Sequence, residues 1–391
     1  MAEYLMDTTD LTKIASAIRA KGGTSDSLVY PDGFVTAIQA IQTGTSELKI
    51  VVSVTSGATV TATKGSKVVS GTSVNGTCTL TVPEEGEWTV SAILDGKTSD
   101  SNIVNVVSSY DTVLEFVSAS TILNDNSWET IRKISDAGTG ANYWSIGDRK
   151  AVTLNGTVGT QAVNGTYYVY IIGFNHNSSK EGNGITFGTF KTALSGGTDI
   201  CLVDGKYGSD LTNGTKYFNM NHSSNASSGG WKGCDLRYDV LGSTNTHDGD
   251  ATATTATNPV ANTLMAALPS DLRAVMQPMT IYTDNTGGSS DNASYVTKTT
   301  DYLPLLAEYE IFGKRSYANS AEKNYQAQYA YYSAGNSKLK YRHSETGSTA
   351  WWWGRSPYYF AGSAFCFVGA NGTAFFNFAE YSGGVAPIFR V

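Results

Sequence analysis

The chain has 391 residues, of which 40% are hydrophobic and only 16% are charged, and Gly and Tyr occur 41 and 23 times. A single hydrophobic core stops growing near about 250 to 300 residues, so this length predicts two or three domains. The net charge of −7 and the lack of any Lys/Arg cluster exclude a surface for polyanions, and we predict no nucleic-acid partner.

Local patterns exclude further classes of protein. The sequence contains no run of about 18 apolar residues, so we predict no membrane insertion. The N-terminus MAEYLMDTTD lacks the basic and apolar regions of a secretory signal. The cysteines are too few and too far apart for a disulfide framework or a paired-cysteine zinc site: Cys78, Cys201, Cys234 and Cys366. We expect a soluble chain made in the cytoplasm, with free and mostly buried thiols.

Residues 1–45 predict a helical N-terminal arm. Asp10 can cap the helix LTKIASAIRAKGG, and Gly22 and Gly23 end it. The apolar face of this helix consists of Leu11, Ile14 and Ile18, and that of a second helix consists of Phe34, Ile38 and Ile41. These stripes are too small to make a core alone, so the arm is either a frayed terminus or a segment that docks on a partner.

Residues 46–110 change to a pattern with a period of two. The runs ATVTATKG, CTLTVPEEG and WTVSAILDG are short, rich in β-branched residues and closed by Gly-containing turns. About six strands in this length predict a small β-sandwich of immunoglobulin-like size. We expect it to act as a spacer, with Trp88 in its core.

Residues 111–391 mix helical and strand patterns and predict an α+β domain. SWETIRKISDAG and ANTLMAALPSDLRAVM have helical spacing, whereas YYVYIIGF and LLAEYEIF are typical of strands. Long polar loops separate these elements, and such loops in a compact domain usually carry function.

Patterns typical of catalysis are missing. The histidines are dispersed, without HExxH or a zinc-type spacing: His176, His222, His247 and His343. Glu308 and Glu310 lie two residues apart, which on a strand places both side chains on one face. A pair of catalytic carboxyl groups and the solvated face of an edge strand explain this spacing equally well. We predict no enzymatic activity, no cofactor and no metal site. Asp-rich loops such as HDGDAT could hold calcium, but they lack the spaced ligands of an EF-hand, and the sequence leaves calcium binding open.

The segment 351–391 has an unusual composition. Thirteen of its 41 residues are aromatic, and only Arg355, Glu380 and Arg390 are charged. Rings interspersed with Ser, Gly and Asn are what antibody loops use, because they give a large rigid contact area at low entropic cost. Aromatic rings can equally be part of a hydrophobic core, and some of the rings in this segment must lie there.

Several motifs carry a resemblance that covers most of residues 112–391. WWWGRSP, FCFV, NG and GVAPIFRV are similar to the C-terminus of phage and prophage domains with a C-type-lectin-like fold. Upstream pieces match in the same order: SWETIRKISDAG, YWSIGDRKAV, GFNH, GGWKGCDLR, ANTLMAALPSDLRAVM and YLPLLAEYEIFG. These domains resemble the variable proteins of diversity-generating retroelements, such as the major tropism determinant of a bacteriophage. The start of the chain resembles tail and baseplate-associated phage proteins.

The resemblance implies a way to separate scaffold from variable positions. In these systems a reverse transcriptase introduces errors at template adenines, and mutated AAC codons never encode Trp, Met, Gln, Lys or Glu. Between Tyr358 and Gly384 only Glu380 belongs to this set. Trp351, Trp352, Trp353 and Glu380 are therefore expected to be scaffold. The rest of the expected frame is Arg355, Ser356, Pro357, Phe365, Cys366, Val368, Gly372, Gly384, Val385, Ala386 and Pro387.

The positions between these frame residues are the expected variable, ligand-facing ones. They are Tyr358, Tyr359, Phe360, Ser363, Ala364, Phe367, Gly369, Phe375, Phe376, Asn377, Phe378 and Tyr381. We expect the frame to be buried and these positions to face outward.

The expected function is that of a receptor-binding or tail-associated display protein in a virion, made in the bacterial cytoplasm. Its head, residues 111–391, would be a C-type-lectin-like domain that binds a protein or glycan on a cell surface, and its arm would dock on virion or tail proteins. The alternative is a baseplate or decoration protein whose aromatic C-terminus contacts other subunits of a homo-oligomer. A glycan-active or formylglycine-generating enzyme of the same fold class would need a pocket with a cysteine pair or a carboxylate dyad, and the sequence shows neither.

Overall fold

The computed structural model describes residues 8–22, 27–40, 47–107, 110–114, 119–204, 218–288, 290–343 and 346–391. They form a mixed α+β structure with several sheets and mostly short helices, which confirms the predicted class. The chain divides into two compact units. One lies within residues 1–90 and 101–113, and the other lies within residues 91–100 and 114–391. Among the described residues, no helix is both long enough and apolar enough to cross a membrane.

Two helices lie in the N-terminal region, as predicted: α1 (Thr8–Gly22) and α2 (Asp32–Ala40). Asp10 does not cap α1, because the helix already begins at Thr8. The predicted apolar faces are also wrong in part, since Ile14 is 41% exposed and Ile38 is 53% exposed. Ala15 and Ile18 instead form a small buried cluster with Phe34. Ile41 lies outside the described residues.

The described part of residues 48–113 forms eight strands rather than about six, and the period-two prediction is confirmed. They are β1 (Leu48–Ser53), β2 (Thr59–Lys64), β3 (Lys67–Thr72), β4 (Thr77–Val82), β5 (Gly86–Leu94), β6 (Lys97–Thr98), β7 (Asn102–Val106) and β8 (Tyr110–Val113). One sheet has the order β4-β1-β8 and another the order β3-β2-β5-β6, with β7 also paired to β5. Side chains of β4 alternate strictly between exposed and buried, and Trp88 is fully buried as predicted.

The helices after residue 119 are short. They are α3 (Trp128–Asp136), α4 (Ser178–Glu181), α5 (Ala253–Thr257), α6 (Leu264–Ala267), α7 (Ser270–Val275), α8 (Glu308–Phe312) and α9 (Ala330–Ser333), with a π-helical turn at Leu236–Val240. The helix predicted in SWETIRKISDAG is α3, and the Ser127 side chain caps it by accepting a hydrogen bond from the Thr130 N–H. ANTLMAALPSDLRAVM forms two helices rather than one, because Pro269 between α6 and α7 has no N–H to continue a helix.

In the described part of the chain after residue 119, the strands form four sheets. They are β9 (Arg149–Leu154), β10 (Thr157–Val158), β11 (Gln161–Ala162), β12 (Gly165–Phe174), β13 (Ile185–Lys191), β14 (Asp199–Ile200), β15 (Met279–Asp284), β16 (Val296–Asp301), β17 (Lys340–Tyr341), β18 (Thr349–Ala350), β19 (Trp352–Pro357), β20 (Ala364–Val368), β21 (Ala374–Phe378) and β22 (Ile388–Arg390). The largest has the order β18-β17-β14-β13-β12-β9, and β22 pairs with β13. The others are β10-β11, β15-β16 and β19-β20-β21.

Candidate functional site

The aromatic C-terminal segment forms the antiparallel sheet β19-β20-β21. All six residues of β19 are buried, whereas no residue of β21 is fully buried. The β20–β21 turn contains Gly372 at φ +80°, a backbone conformation that favours glycine. The sheet therefore runs from a strand inside the core to a strand at the surface.

The predicted burial of the frame is confirmed, apart from the partly exposed Trp351, Gly372 and Glu380. Trp352 and Trp353 are fully buried, and their indole N–H groups donate to the carbonyl oxygens of Lys338 and Phe218 at 3.0 Å each. Gly384 fits against Cys201, since a Cβ at this glycine would lie 2.4 Å from the Cys201 sulfur.

Arg355 is the polar centre of the frame. It is fully buried, and its guanidinium forms a two-pronged ion pair with Glu310 and donates to the Leu305 carbonyl oxygen at 2.7 Å. Burial opposes the charge on Arg355, but the Glu310 carboxylate outweighs it and raises the pKa of the guanidinium above its usual value. Next to it, burial raises the pKa of Glu322 to about 7, although the Ser356 hydroxyl donates to this carboxyl at 2.6 Å and opposes the rise.

The expected ligand-facing positions are accessible, with one exception. Side chains reach solvent at Phe360, which is 70% exposed, at Phe375, 48%, and at Phe378, 43%. The following positions are partly exposed: Tyr358, Tyr359, Ser363, Phe367, Gly369, Phe376, Asn377 and Tyr381.

The exposure predicted for Ala364 is wrong, because this residue is fully buried. Ala364 opens β20, the central strand of its sheet, where it is paired with Phe378 and accepts a hydrogen bond from the Tyr358 N–H at 2.9 Å. Ala364, Phe365 and Cys366 are buried in succession, so both faces of β20 are covered at this end.

Most of the accessible rings contact one another and form a patch, and Phe378 and Tyr381 form a separate ring pair at 6.1 Å. Tyr358 stacks on Phe376 with ring centroids 4.0 Å apart, and Phe376 stacks on Phe375 at 5.0 Å. Phe360 extends the patch at 6.3 Å from Tyr358. We call the following set the aromatic surface: Tyr317, Tyr358, Tyr359, Phe360, Phe367, Phe375, Phe376, Phe378 and Tyr381.

Tyr317 belongs to this surface although the sequence analysis missed it. Its ring lies 5.4 Å from Phe376, 5.6 Å from Phe375 and 5.9 Å from Tyr358. The neighbouring Arg315 places its guanidinium carbon 4.0 Å from the centre of the Tyr359 ring, which is a cation–π contact. The composition of the loop after α8 gives no signal for this role, because a single Tyr in FGKRSYANS is unremarkable.

The interpretation of Glu308 and Glu310 as two carboxylates on a strand is wrong. Both lie in helix α8 and are buried, at 2% and 1% exposure. Glu308 accepts hydrogen bonds from the backbone N–H groups of Ser316, Tyr317 and Ala318, and so fixes the loop that carries Tyr317. Glu310 holds Arg355. Both carboxylates are therefore buried beneath the aromatic surface, where Glu308 fixes the loop of Tyr317 and Glu310 fixes Arg355 of β19.

The remaining sequence-predicted residues divide into two groups. All four cysteines are free and buried, as predicted, and burial raises the pKa of Cys201 and of Cys234 to about 12. The dispersed histidines are a different matter, because His222 and His247 face the same carboxylate, that of Asp239.

Comparison with known proteins identifies one similarity. Residues 211–391, less than half of the chain, match the model of a domain of unknown function (DUF6273). No match to a curated protein was found. The matched region contains the whole aromatic surface and the residues that support it from below.

Proposed function

We propose that the aromatic surface is the ligand-binding site of a display protein, built on a C-type-lectin-like scaffold like that of the variable proteins of diversity-generating retroelements. The observation that supports this most is the alternation along residues 351–391. Eleven of the twelve expected ligand-facing positions have accessible atoms, while the frame positions between them are almost all buried. Such a segment can change its contact residues while its scaffold stays the same.

The chemistry of the aromatic surface suits recognition of a macromolecule. Stacked rings lose little conformational entropy on binding, because they are already held in place by their neighbours. Burying their exposed area would supply about 25 cal/mol per Å², less the cost of association. Arg315 adds a cation at the rim, where its guanidinium also pairs with Asp291 at 3.2 Å.

The other regions of the chain complete the proposal. The helical arm would dock on virion or tail proteins, and the eight-stranded region would be an immunoglobulin-like spacer. Many copies on one virion would add avidity to a modest affinity per copy.

Cell binding by the purified, fluorescently labelled chain tests the proposal. The probe is a panel of bacterial strains that includes the strain carrying the gene and its near relatives. Tyr358→Ala, Phe360→Ala, Phe376→Ala and Tyr381→Ala together should abolish binding to strains that the wild type labels, while the circular dichroism spectrum is retained. A matched control replaces exposed apolar residues elsewhere, Ile122→Ala with Leu194→Ala, and should bind normally. Unchanged binding by the folded quadruple variant would refute the proposal.

A second candidate function is favoured by the position of β21. In the part of the chain that the structure describes, β21 pairs only with β20, so its other edge and its exposed rings could pair with a second subunit. Light scattering of wild type and quadruple variant distinguishes the two functions. A wild-type oligomer that the substitutions dissociate indicates subunit contacts, and an unchanged mass with lost cell binding indicates a ligand site.

The DNA next to the gene tests the origin of the variable positions independently. The proposal predicts a near-copy of the codons for residues 355–391, differing at adenines, beside a reverse-transcriptase gene. Such a copy without differences at the codons of the accessible positions would contradict diversification.

A further inference from the structure

Two histidines and two aspartates converge outside the aromatic surface. We call His222, Asp235, Asp239 and His247 the His/Asp cluster. One ligand atom each from Asp235, Asp239 and His247 lie within 4.8 Å of one another. His222 Nε2 lies 3.5 Å from Asp239 Oδ2, and His247 Nε2 lies 3.7 Å from the same oxygen. Two imidazoles from separate loops thus face one buried carboxylate.

The imidazole–carboxylate distances within the His/Asp cluster are longer than those of hydrogen bonds, although the backbone N–H of His222 donates to Asp235 Oδ2 at 2.6 Å. Charge-assisted N–H···O bonds are typically about 2.7–2.9 Å long, and the contacts of both imidazoles with Asp239 are longer. The third contact, His247 Nδ1 to Asp235 Oδ1, is longer still at 3.8 Å. Two ligand atoms bound at about 2.0–2.1 Å to a tetrahedral metal ion are about 3.3–3.4 Å apart. The contacts of both imidazoles with Asp239 Oδ2 are slightly longer than this, and one ligand atom each from Asp235, Asp239 and His247 lies within 4.8 Å of the others. His247 approaches Asp235 through its other ring nitrogen, so the two residues and an ion would need a small adjustment to share one shell.

The orientation of His222 also suits metal binding. Its Nδ1 lies 2.6 Å from Asn219 Oδ1. The amide nitrogen of Asn219 donates to the carbonyl oxygens of Asn221 and Glu380, so Oδ1 is the atom that accepts from the imidazole. Metal-binding histidines are usually held in this way through the second ring nitrogen. Nε2 is then the ring nitrogen of His222 that can coordinate an ion, and it lies 3.5 Å from Asp239 Oδ2.

The local backbone places both aspartates on the same side. Asp235 precedes the π-helical turn Leu236–Val240 and Asp239 lies within it. Such turns are rare and occur frequently at functional sites. Arg237, in the same turn, pairs with Asp301 at 2.6 Å rather than with the two aspartates. The ring of His247 is packed on Tyr238 with centroids 4.2 Å apart.

We propose that the His/Asp cluster binds a divalent transition-metal ion such as zinc. Imidazole nitrogen together with carboxylate oxygen is a donor set that suits zinc and its neighbours, whereas calcium and magnesium prefer oxygen alone. The ion would fasten the segment Asn219–His222 to the π-helical turn. Two N–H groups of this segment, those of Met220 and Asn221, donate to the carbonyl oxygen of Ala379 at 2.9 and 3.1 Å, directly after β21. The bound ion would thus stabilise the base of the aromatic surface, although its binding does not depend on the function proposed for that surface.

Zinc titration of the full, chelator-treated chain tests this site. Calorimetry and elemental analysis should give one zinc ion per chain, and saturating zinc should raise the midpoint of thermal unfolding. Asp239→Asn and His247→Ala should each weaken zinc binding by more than about 100-fold, since even the loss of an outer-shell partner costs 10–100-fold. X-ray absorption at the zinc edge should show imidazole scattering that decreases in His222→Ala.

Asp248→Asn is the matched control. It removes the same charge next to His247, and Asn accepts the left-handed backbone of this position, where φ is +57°. The control should bind zinc as the wild type does. Three results would overturn the proposal: no zinc bound by the wild type, equal weakening by Asp248→Asn and Asp239→Asn, or tighter binding of calcium than of zinc. An unchanged zinc affinity in the folded Asp239→Asn and His247→Ala variants would place the ion elsewhere and also refute it.

Discussion

Replacement of Trp353 or of Phe360 by alanine should separate the buried frame from the aromatic surface by stability alone. Trp353 is fully buried and its indole N–H donates to Phe218. Loss of a buried Trp or Phe side chain costs about 3–5 kcal/mol. The Phe218 carbonyl keeps a second donor, the Gly383 N–H at 2.9 Å, so the cost comes mainly from the lost packing. Phe360 keeps 70% of its surface exposed. An aromatic side chain can bury about 150–250 Å², so less than a third of that area at about 25 cal/mol per Å² gives at most about 2 kcal/mol.

Urea denaturation followed by circular dichroism and tryptophan fluorescence measures both free energies of unfolding. Trp88 reports on the other unit, so a transition common to the wild type and both variants can be assigned to that unit and excluded. We expect Trp353→Ala to lower the midpoint of the remaining transition strongly and Phe360→Ala to leave it nearly unchanged. An equal loss of stability in the two variants would refute the division into frame and surface.

Three further predictions concern the supporting residues. Arg355→Met should lower the free energy of unfolding by about 3–5 kcal/mol because Glu310 is left buried without its partner, and adding Glu310→Gln should recover part of the loss in a double-mutant cycle. Burial raises the pKa of Glu322 to about 7, whereas the pKa of a Glu in the unfolded chain is about 4.3. The protonated carboxyl therefore contributes stability that is fully present below pH 4.3 and is lost as the pH rises through 7. Glu322→Gln should therefore flatten the fall in thermal midpoint between pH 5 and 8, and an identical pH profile in the two proteins would contradict this. Tyr317→Ala should weaken binding in the labelled-cell assay while the spectrum stays native, because this ring packs against Phe375 and Phe376 within the surface.

The sequence predicted those elements whose signal is local. Alternating apolar residues were enough for β4, and helical spacing was enough for α3. LLAEYEIF failed because its alternation is compatible with a strand. Its conformation as α8 depends on distant partners, since Glu310 binds Arg355 from 45 residues away and Glu308 collects three N–H groups from the following loop.

The sequence predicted the part of the candidate site that depends on the aromatic composition of residues 351–391 and on the alternation of frame and ligand-facing positions along them. Ala364 failed because a central strand covers both of its faces, which one position in a sequence does not reveal. Tyr317 was missed because its neighbours in space lie about forty residues or more further along the chain. His222 and His247 meet only because a π-helical turn places Asp239 between them, and a π-turn has no sequence pattern comparable to a capping box.

The distribution of burial explains how this surface could change without loss of the fold. The hydrogen bonds and the ion pair of Trp352, Trp353 and Arg355 are directed away from solvent and involve partners outside the expected ligand-facing positions, although the Trp353 ring also lies 6.4 Å from that of Phe367. Single substitutions at weakly buried surface rings therefore remove little stability, which is the condition for tolerating variation. The stacked pair Tyr358 and Phe376 is different, because each ring is held by the other at 4.0 Å. Variation at these two positions should be coupled, whereas variation at Phe360 should be nearly independent.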